Sequence, residues 1–268
     1  MTDAPESEKP TPAGVYDYAL GGTANTAADR AQVEMARQVM PDIILAAWAN
    51  RGFLQRAVKH LAAERGIRQF IDLGSGMPTQ RNTHEVVGEV RDDGRVVYVD
   101  FDPRVIERAR GLLAGTERTE VVLADMRDPA AVLNAPETRR LIDFSEPVAL
   151  LVVAVTHFLP DSDDPWGLVA RYLDALAPGS YLALSSVTDD RQEEQWETVL
   201  KRKGNPNYNA FPRSRPEVER FFTGLDIVPP YEGAKPEVTY VGLWGAEDPV
   251  AADDDGSRLA YAAVARKP

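Results

Sequence analysis

The residues on which chemistry can most directly be built lie in Gln69-Phe70-Ile71-Asp72-Leu73-Gly74-Ser75-Gly76. A short apolar run ending in an acid and two glycines reads as a buried parallel strand that turns sharply and leaves bare backbone for a ligand. Asp100 ends a second apolar run, about 25 residues beyond the glycines, where a doubly wound fold holds a ribose diol because a carboxylate accepts from both hydroxyls. A third run, 120–124, leads into Asp125 and Met126. A carboxylate there can accept from an exocyclic amine while the next side chain covers a ring face, so the pair reads as adenine contacts. The competing reading is that Asp125 caps a turn. His157 closes a fourth, continuously apolar run, 147–155, and is the best-placed general base of the chain's three histidines. A histidine there can also simply hold its loop.

Neighbouring residues narrow the ligand. A dinucleotide fingerprint needs G-x-G-x-x-G/A, whose third small residue lets helix and strand pack closely, and here Thr79 stands in that place. The spacing predicts a helix that begins only near Asn82, where Asn82 and Glu85 form a capping-box pattern. That longer loop argues against a pyrophosphate and so against a nicotinamide oxidoreductase. The acidic stretch 161–164 lacks a glycine-hinged ligand spacing. Asp164-Pro165-Trp166 reads instead as a helix N-cap and first turn, and no metal site is expected.

These residues need a frame. From Gln69 onward strands and helices alternate, with strands at 95–99, 120–124, 147–155 and 180–186 and helices at 104–114, 166–177, 190–203 and 215–222. Two late strands follow, one near 225–228 or 238–244 and one at 259–266, and with no helix between them they must pair antiparallel. The expected fold is α/β, a doubly wound, mostly parallel sheet of seven strands with an antiparallel C-terminal hairpin and an N-terminal helical lid. Ahead of the first strand, helical spacing over 26–39 and 42–64 predicts two helices that cap the sheet or build the lid. Gly14-Val15-Tyr16-Asp17-Tyr18 through Gly21-Gly22 and Asn25 reads as a loop that closes over something, or as a turn with packing tyrosines. We divide the chain into a flexible tail (1–11), the helical cap (12–66) and the core (67–268).

Composition bounds the partners. With 268 residues, 44% of them hydrophobic, the chain can bury one substantial core. A net charge of −12 opposes attraction to a nucleic-acid backbone or an anionic bilayer. No run approaches the roughly 20 apolar residues of a membrane span, and the first residues lack the basic-then-apolar pattern of a signal peptide. With no cysteine there is no disulfide framework, so the expected setting is the cytoplasm.

The loop Asp72 to Gly76, Asp100, Asp125 and Ala177-Pro178-Gly179-Ser180 together resemble the class I S-adenosylmethionine-dependent methyltransferases. More narrowly, Val15-Tyr16-Asp17-Tyr18 with Gly21-Gly22 and Asn25, Ala49-Asn50-Arg51, and Gly76-Met77-Pro78-Thr79 with Asn82-Thr83-His84-Glu85 resemble an actinobacterial S-adenosyl methyltransferase family. The resemblance covers nearly the whole chain. It implies S-adenosyl-L-methionine as cofactor, with Gly74, Ser75 and Gly76 beside the methionine part and Asp72 near its amino group. It further implies Asp100 on the ribose, Phe101 packed on adenine, Asp125 and Met126 on the adenine edge and face, and Thr156 at the cofactor. Tyr18, Gly22, Asn25 and Arg51 would come from the covering segment. The fourth strand ends in Val155-Thr156-His157-Phe158 and lacks the Asn/Asp-Pro-Pro-Tyr/Phe signature of enzymes that methylate adenine or glutamine amides. With the acidic charge, that points to a small-molecule acceptor, neither nucleic acid nor membrane. Trp48, Trp166, Tyr16 and Tyr18 read as an apolar lining for it or as ordinary core residues. A protein that binds S-adenosylmethionine without reacting is the alternative.

Overall fold

The computed structural model describes residues 9–79, 81–113, 115–202 and 210–268. Among these residues eight strands form one sheet: β1 (Gln69–Leu73), β2 (Arg95–Asp100), β3 (Thr119–Leu123), β4 (Val148–Val153), β5 (Tyr181–Val187), β6 (Asp226–Ile227), β7 (Thr239–Tyr240) and β8 (Ala260–Arg266). Their order is β3-β2-β1-β4-β5-β8-β6, with β7 also paired to β8. The first five are parallel, and β8 runs antiparallel to β5, β6 and β7.

The sheet is therefore the expected one with a strand more. Asp226–Ile227 and Thr239–Tyr240 both pair with β8, end to end along one edge, opposite Arg266–Ala265 and Ala262–Tyr261. Between them lie Pro229, Pro230 and Pro236, which cannot donate to a ladder and so break one edge strand into two.

Continuously apolar strands predict a sheet covered on both faces. Ile71, Leu73, Val97, Val99, Leu150, Val152, Leu182 and Leu184 face helices α6 (Pro129–Leu133), α7 (Pro136–Leu141), α8 (Pro165–Asp174) and α10 (Arg215–Glu219). Phe70, Val96, Ala149, Leu151 and Ala183 face α3 (Ile43–Ala63), α4 (Thr83–Gly88) and α5 (Pro103–Leu112). Of the two predicted N-terminal helices, α3 packs Phe53, Ala57, Val58 and Leu61, all fully buried, onto this second face. The other, α2 (Ala27–Arg37), contributes no residue to either face cluster, and α9 (Glu193–Arg202) joins the corner between α2 and α3 through Trp196 and Met40.

The segment read as a loop begins with a helix. Thr11 accepts from the Gly14 N–H and Pro12 occupies the first turn of α1 (Pro12–Ala19), so Tyr16, Asp17 and Tyr18 are helical and only 20–26 is loop. Of the expected tail, residues 1–8 lie outside the described residues, and the Thr11 N–H donates to Asp29. The end of the predicted helix 190–203 and the segment after it, 203–209, also lie outside them.

Candidate active site

From β1 the chain moves outward to β2 and β3, then crosses back to β4 on the other side of β1. Loops after β1 and β4 therefore diverge, leaving a crevice at their carboxyl ends, the usual ligand position in such sheets. Gly74 and Gly76 both hold left-handed backbones, φ +66°, which only glycine adopts without strain. The N–H groups of Gly74 and Ser75 donate to Val99 O, at 2.8 and 3.1 Å, and fold the loop against β2. A side chain on Gly74 would meet Val155 Cγ2 at 2.5 Å, whereas one on Gly76 would meet nothing within 4 Å. The first glycine lets the β4 loop approach; the second faces open space.

Asp100 ends β2 with its carboxylate accepting from Gly76 N–H at 2.9 Å and Asp102 N–H at 3.0 Å. Burial raises its pKa against those two donors. Phe101 beside it is 66% exposed, an aromatic ring left open at the crevice edge. Ala124 N–H donates to Asp100 O, which brings the β3 end alongside. Asp125 there is held by Arg127, whose Nη2 lies 2.6 Å from Oδ2, and this partner lowers its pKa. Arg127 also reaches Asp163, at 3.4 Å. Met126 belongs to the main core and its carbonyl accepts from Tyr172 Oη, so its side chain is largely withdrawn from the surface.

Asp72 lies inside β1, 5% exposed, and accepts from Thr83 Oγ1 at 2.8 Å. Burial pushes its pKa up to about 6, the charge of Asp100 adding to the effect and Thr83 and Arg51 opposing it. Arg51 is itself 5% exposed, lies 5.5 Å above the Tyr16 ring, and its Nε has no hydrogen-bond partner. Thr156, fully buried after β4, likewise has an unpartnered hydroxyl. Buried polar groups are seldom left so. His157 is buried in a one-turn helix over 156–158; its carbonyl accepts from Phe211 N–H at 2.7 Å and its ring lies 4.3 Å from Phe158. His84 bonds Tyr98 Oη through Nδ1 and His60 faces Glu64.

The segment that carries Tyr18, Gly22 and Asn25 is tied together by hydrogen bonds. Tyr18 donates to Glu34 of α2, and so joins two lid helices. Asn25 donates to Asp17 Oδ2 and Gly22 O, and Gly22 packs so closely on Asp17 and Thr79 that a Cβ there would collide. The centre of this knot is Asp17, 2% exposed, which accepts from Ala24 N–H, Asn25 Nδ2 and, at 2.6 Å, Thr79 Oγ1. Sequence reasoning assigns no role to Asp17 or Thr79; the same Thr79 that breaks the dinucleotide fingerprint fastens the lid to the glycine loop. A cleft of about 330 Å³ lies between this lid and the start of α5, lined by Thr23, Thr26, Asp29, Met77, Arg104 and Arg108 among others. Trp166 stacks on Phe221, donates to Glu217 O and lies beneath Arg213 and Arg220. Trp48 is 46% exposed on α3.

A five-stranded parallel half with a glycine crevice at its switch point, closed by an antiparallel edge, defines an α/β methyltransferase architecture. The chain belongs to the S-adenosyl methyltransferase family, whose model matches residues 2–268. Membership makes S-adenosylmethionine the cofactor and methyl transfer the reaction. It is similar to a candidate methyltransferase from Thermobifida fusca at 42% identity and TM-score 0.88, over 98% of this chain and 96% of that one. A DUF574 family protein from Streptomyces avermitilis gives 41% and 0.90, over 98% and 99%. The 1,6-didemethyltoxoflavin-N1-methyltransferase of Burkholderia thailandensis shares the fold at 17% identity and TM-score 0.50, over 99% and 93%. No curated protein matches the sequence.

Proposed function

We propose that the chain methylates a small-molecule acceptor, with the cofactor gripped between the glycine loop and the lid. When bound, S-adenosylmethionine supplies an electrophilic methyl group on a sulfonium. Asp100 would accept from the ribose hydroxyls, Phe101 would pack on adenine, Asp125 would meet its edge and Met126 its face. Asp72 would meet the ammonium and Arg51 the carboxylate of the methionine part, with Gly74, Ser75, Gly76 and Thr156 along its length. Tyr18, Gly22 and Asn25 act at one remove, by holding the lid. The observation that carries this reading is the pair of opposite buried charges, Asp72 and Arg51, at one end of a crevice whose glycine faces open space.

Alignment and exclusion of water are the protein's main contribution to such a displacement, with a base needed only for a protonated acceptor. His157 is our candidate for that base, since the β4 loop carries it beside Thr156. The net charge of −12 favours a small acceptor over nucleic acid or an anionic membrane. Residues 12–66 then divide in role, α3 as part of the core and α1 with α2 as the lid. Calorimetry with S-adenosylhomocysteine tests the site: Asp100→Ala should weaken binding about tenfold or more, as expected for a lost charge-assisted pair. Unchanged affinity would refute the ribose assignment. Mass spectrometry of the purified chain, searching for a retained nucleoside and a co-bound compound, identifies the acceptor class.

A further inference from the structure

One hydrogen-bonded relay crosses from the lid to the β4 loop. Asn50, 5% exposed on α3, donates from Nδ2 to Tyr16 Oη at 2.8 Å and accepts at Oδ1 from Ser185 Oγ at 2.6 Å. Ser185 Oγ in turn accepts from the Ala154 N–H at 3.0 Å, and Tyr16 Oη donates to Ala47 O at 3.2 Å. The two ends of the relay are the two unusual features of the crevice.

At one end stands Ala154, with φ +55°, a left-handed backbone that strains a non-glycine residue and persists only where its surroundings enforce it. That corner carries Val155 into the space a Gly74 side chain would take, and places Thr156 and His157 next along the chain. Standing at the other end, Tyr16 lies beneath Arg51, the residue following Asn50, whose charge acts on Asp72. A fully satisfied buried network of this kind specifies one geometry, because any break leaves a polar group unanswered.

We propose that Tyr16, Asn50 and Ser185 are positioning residues that jointly set Arg51 and the Ala154–Val155 corner against the methionine end of the cofactor. This rests on the cofactor orientation given under Proposed function. The adenosine end, at Asp100 and Asp125, touches no member of the relay. The inference therefore separates the two ends of one ligand.

Calorimetry on the full chain compares S-adenosylhomocysteine with 5′-methylthioadenosine, which keeps the nucleoside and lacks the amino-acid part. Asn50→Ala and Ser185→Ala should raise the Kd for S-adenosylhomocysteine about tenfold, the scale of one charge-assisted hydrogen bond. Affinity for 5′-methylthioadenosine should stay within about twofold, as for a site with no shared partners. Adding Ala154→Gly to Ser185→Ala should restore part of the loss, because glycine takes the left-handed corner unaided. If Asn50→Ala does not fold, Tyr16→Phe, which removes only a hydroxyl, carries the same selective loss at smaller size. Equal weakening of both ligands, or unchanged S-adenosylhomocysteine affinity, would overturn the proposal. Failure of the wild type to bind either nucleoside would instead remove the cofactor site itself, and the relay's purpose with it.

Discussion

Asp72 shows how a single residue can set stability against binding. Its pKa is raised by burial from the ordinary carboxylate value of 3.8 to about 6. The folded chain therefore binds a proton more readily than the unfolded one between those values, and stability contributed by this group falls as pH rises from about 4 to 6. Above pH 6 the cost is constant, on the order of 2–3 kcal/mol for a shift of about two units. Asp72→Asn should abolish that slope in ligand-free urea melts between pH 4 and 7 and raise the midpoint at pH 7, while weakening S-adenosylhomocysteine binding. A wild-type profile flat over this range would show that the carboxylate is already paired. The two glycines offer a second contrast. Gly74→Ala adds a collision with Val155 to its left-handed backbone, and should lower stability by about 3 kcal/mol, combining strain and overpacking. Gly76→Ala bears the backbone term alone, about 1–2 kcal/mol. On the proposed cofactor placement its methyl group would enter the ligand's space, so its loss of affinity should exceed its loss of stability. Asp72, the glycines and Asp100 were legible because each sits at a strand end, where local pattern dictates position. Asp17 and Ser185 were not, since a lone Asp in a helix and a Ser in a strand carry no local mark of what they will meet.

At the scale of elements, α1 and α2 are held by buried carboxylates as well as by the apolar contact of Ala19 and Leu20 with Ala47 of α3. Asp17 collects three donors from the 20–26 loop and the glycine loop, and Asp29 collects the N–H groups of Thr11 and Thr26 and the Thr26 hydroxyl. Such anchors leave α1 and α2 separable from the sheet in a way α3 is not. Thr79→Val keeps the shape and removes the Asp17 contact, at a cost of about 1–3 kcal/mol for a bond to a charged group. The loss should be local: hydrogen exchange should quicken in 14–26 and leave β1 and β4 unchanged. Uniform quickening over the sheet would place Thr79 in the global fold rather than in the fastening. That α1 is a helix at all was readable from Thr11-Pro12, a cap and a first-turn proline. The glycines and tyrosines that follow concealed it, because they suit a loop equally well.

Across the whole molecule the N-terminal third and the C-terminus close on each other. Arg56 of α3 donates from Nε to Trp244 O and from Nη2 to Val241 O and Gly242 O, between residues 185 or more apart in sequence. These carbonyls turn the chain from β7 toward β8, the strand that closes the sheet beside β5. Arg56→Ala removes these three hydrogen bonds to the turn and should destabilise the chain by about 2–5 kcal/mol in urea melts, as for other broken buried polar networks. Arg56→Lys should recover only part, because one ammonium cannot reproduce the guanidinium fork. An Arg56→Ala chain as stable as wild type would mean the turn holds without it.

The sequence by itself determined the parallel half of the sheet, its glycine crevice, the acids at the ends of β1, β2 and β3, and the caps at Asn82 and Asp164. Each depends on a short-range rule: apolar runs, backbone freedom at glycine, or a side chain reaching its own helix terminus. Tertiary structure alone decided that Asp17 grips Thr79, that Asn50 meets Ser185 across 135 residues, and that two broken strands share one edge of β8. A buried polar group takes whichever partner the packed elements bring to it, and that partner is set by the path of the whole chain.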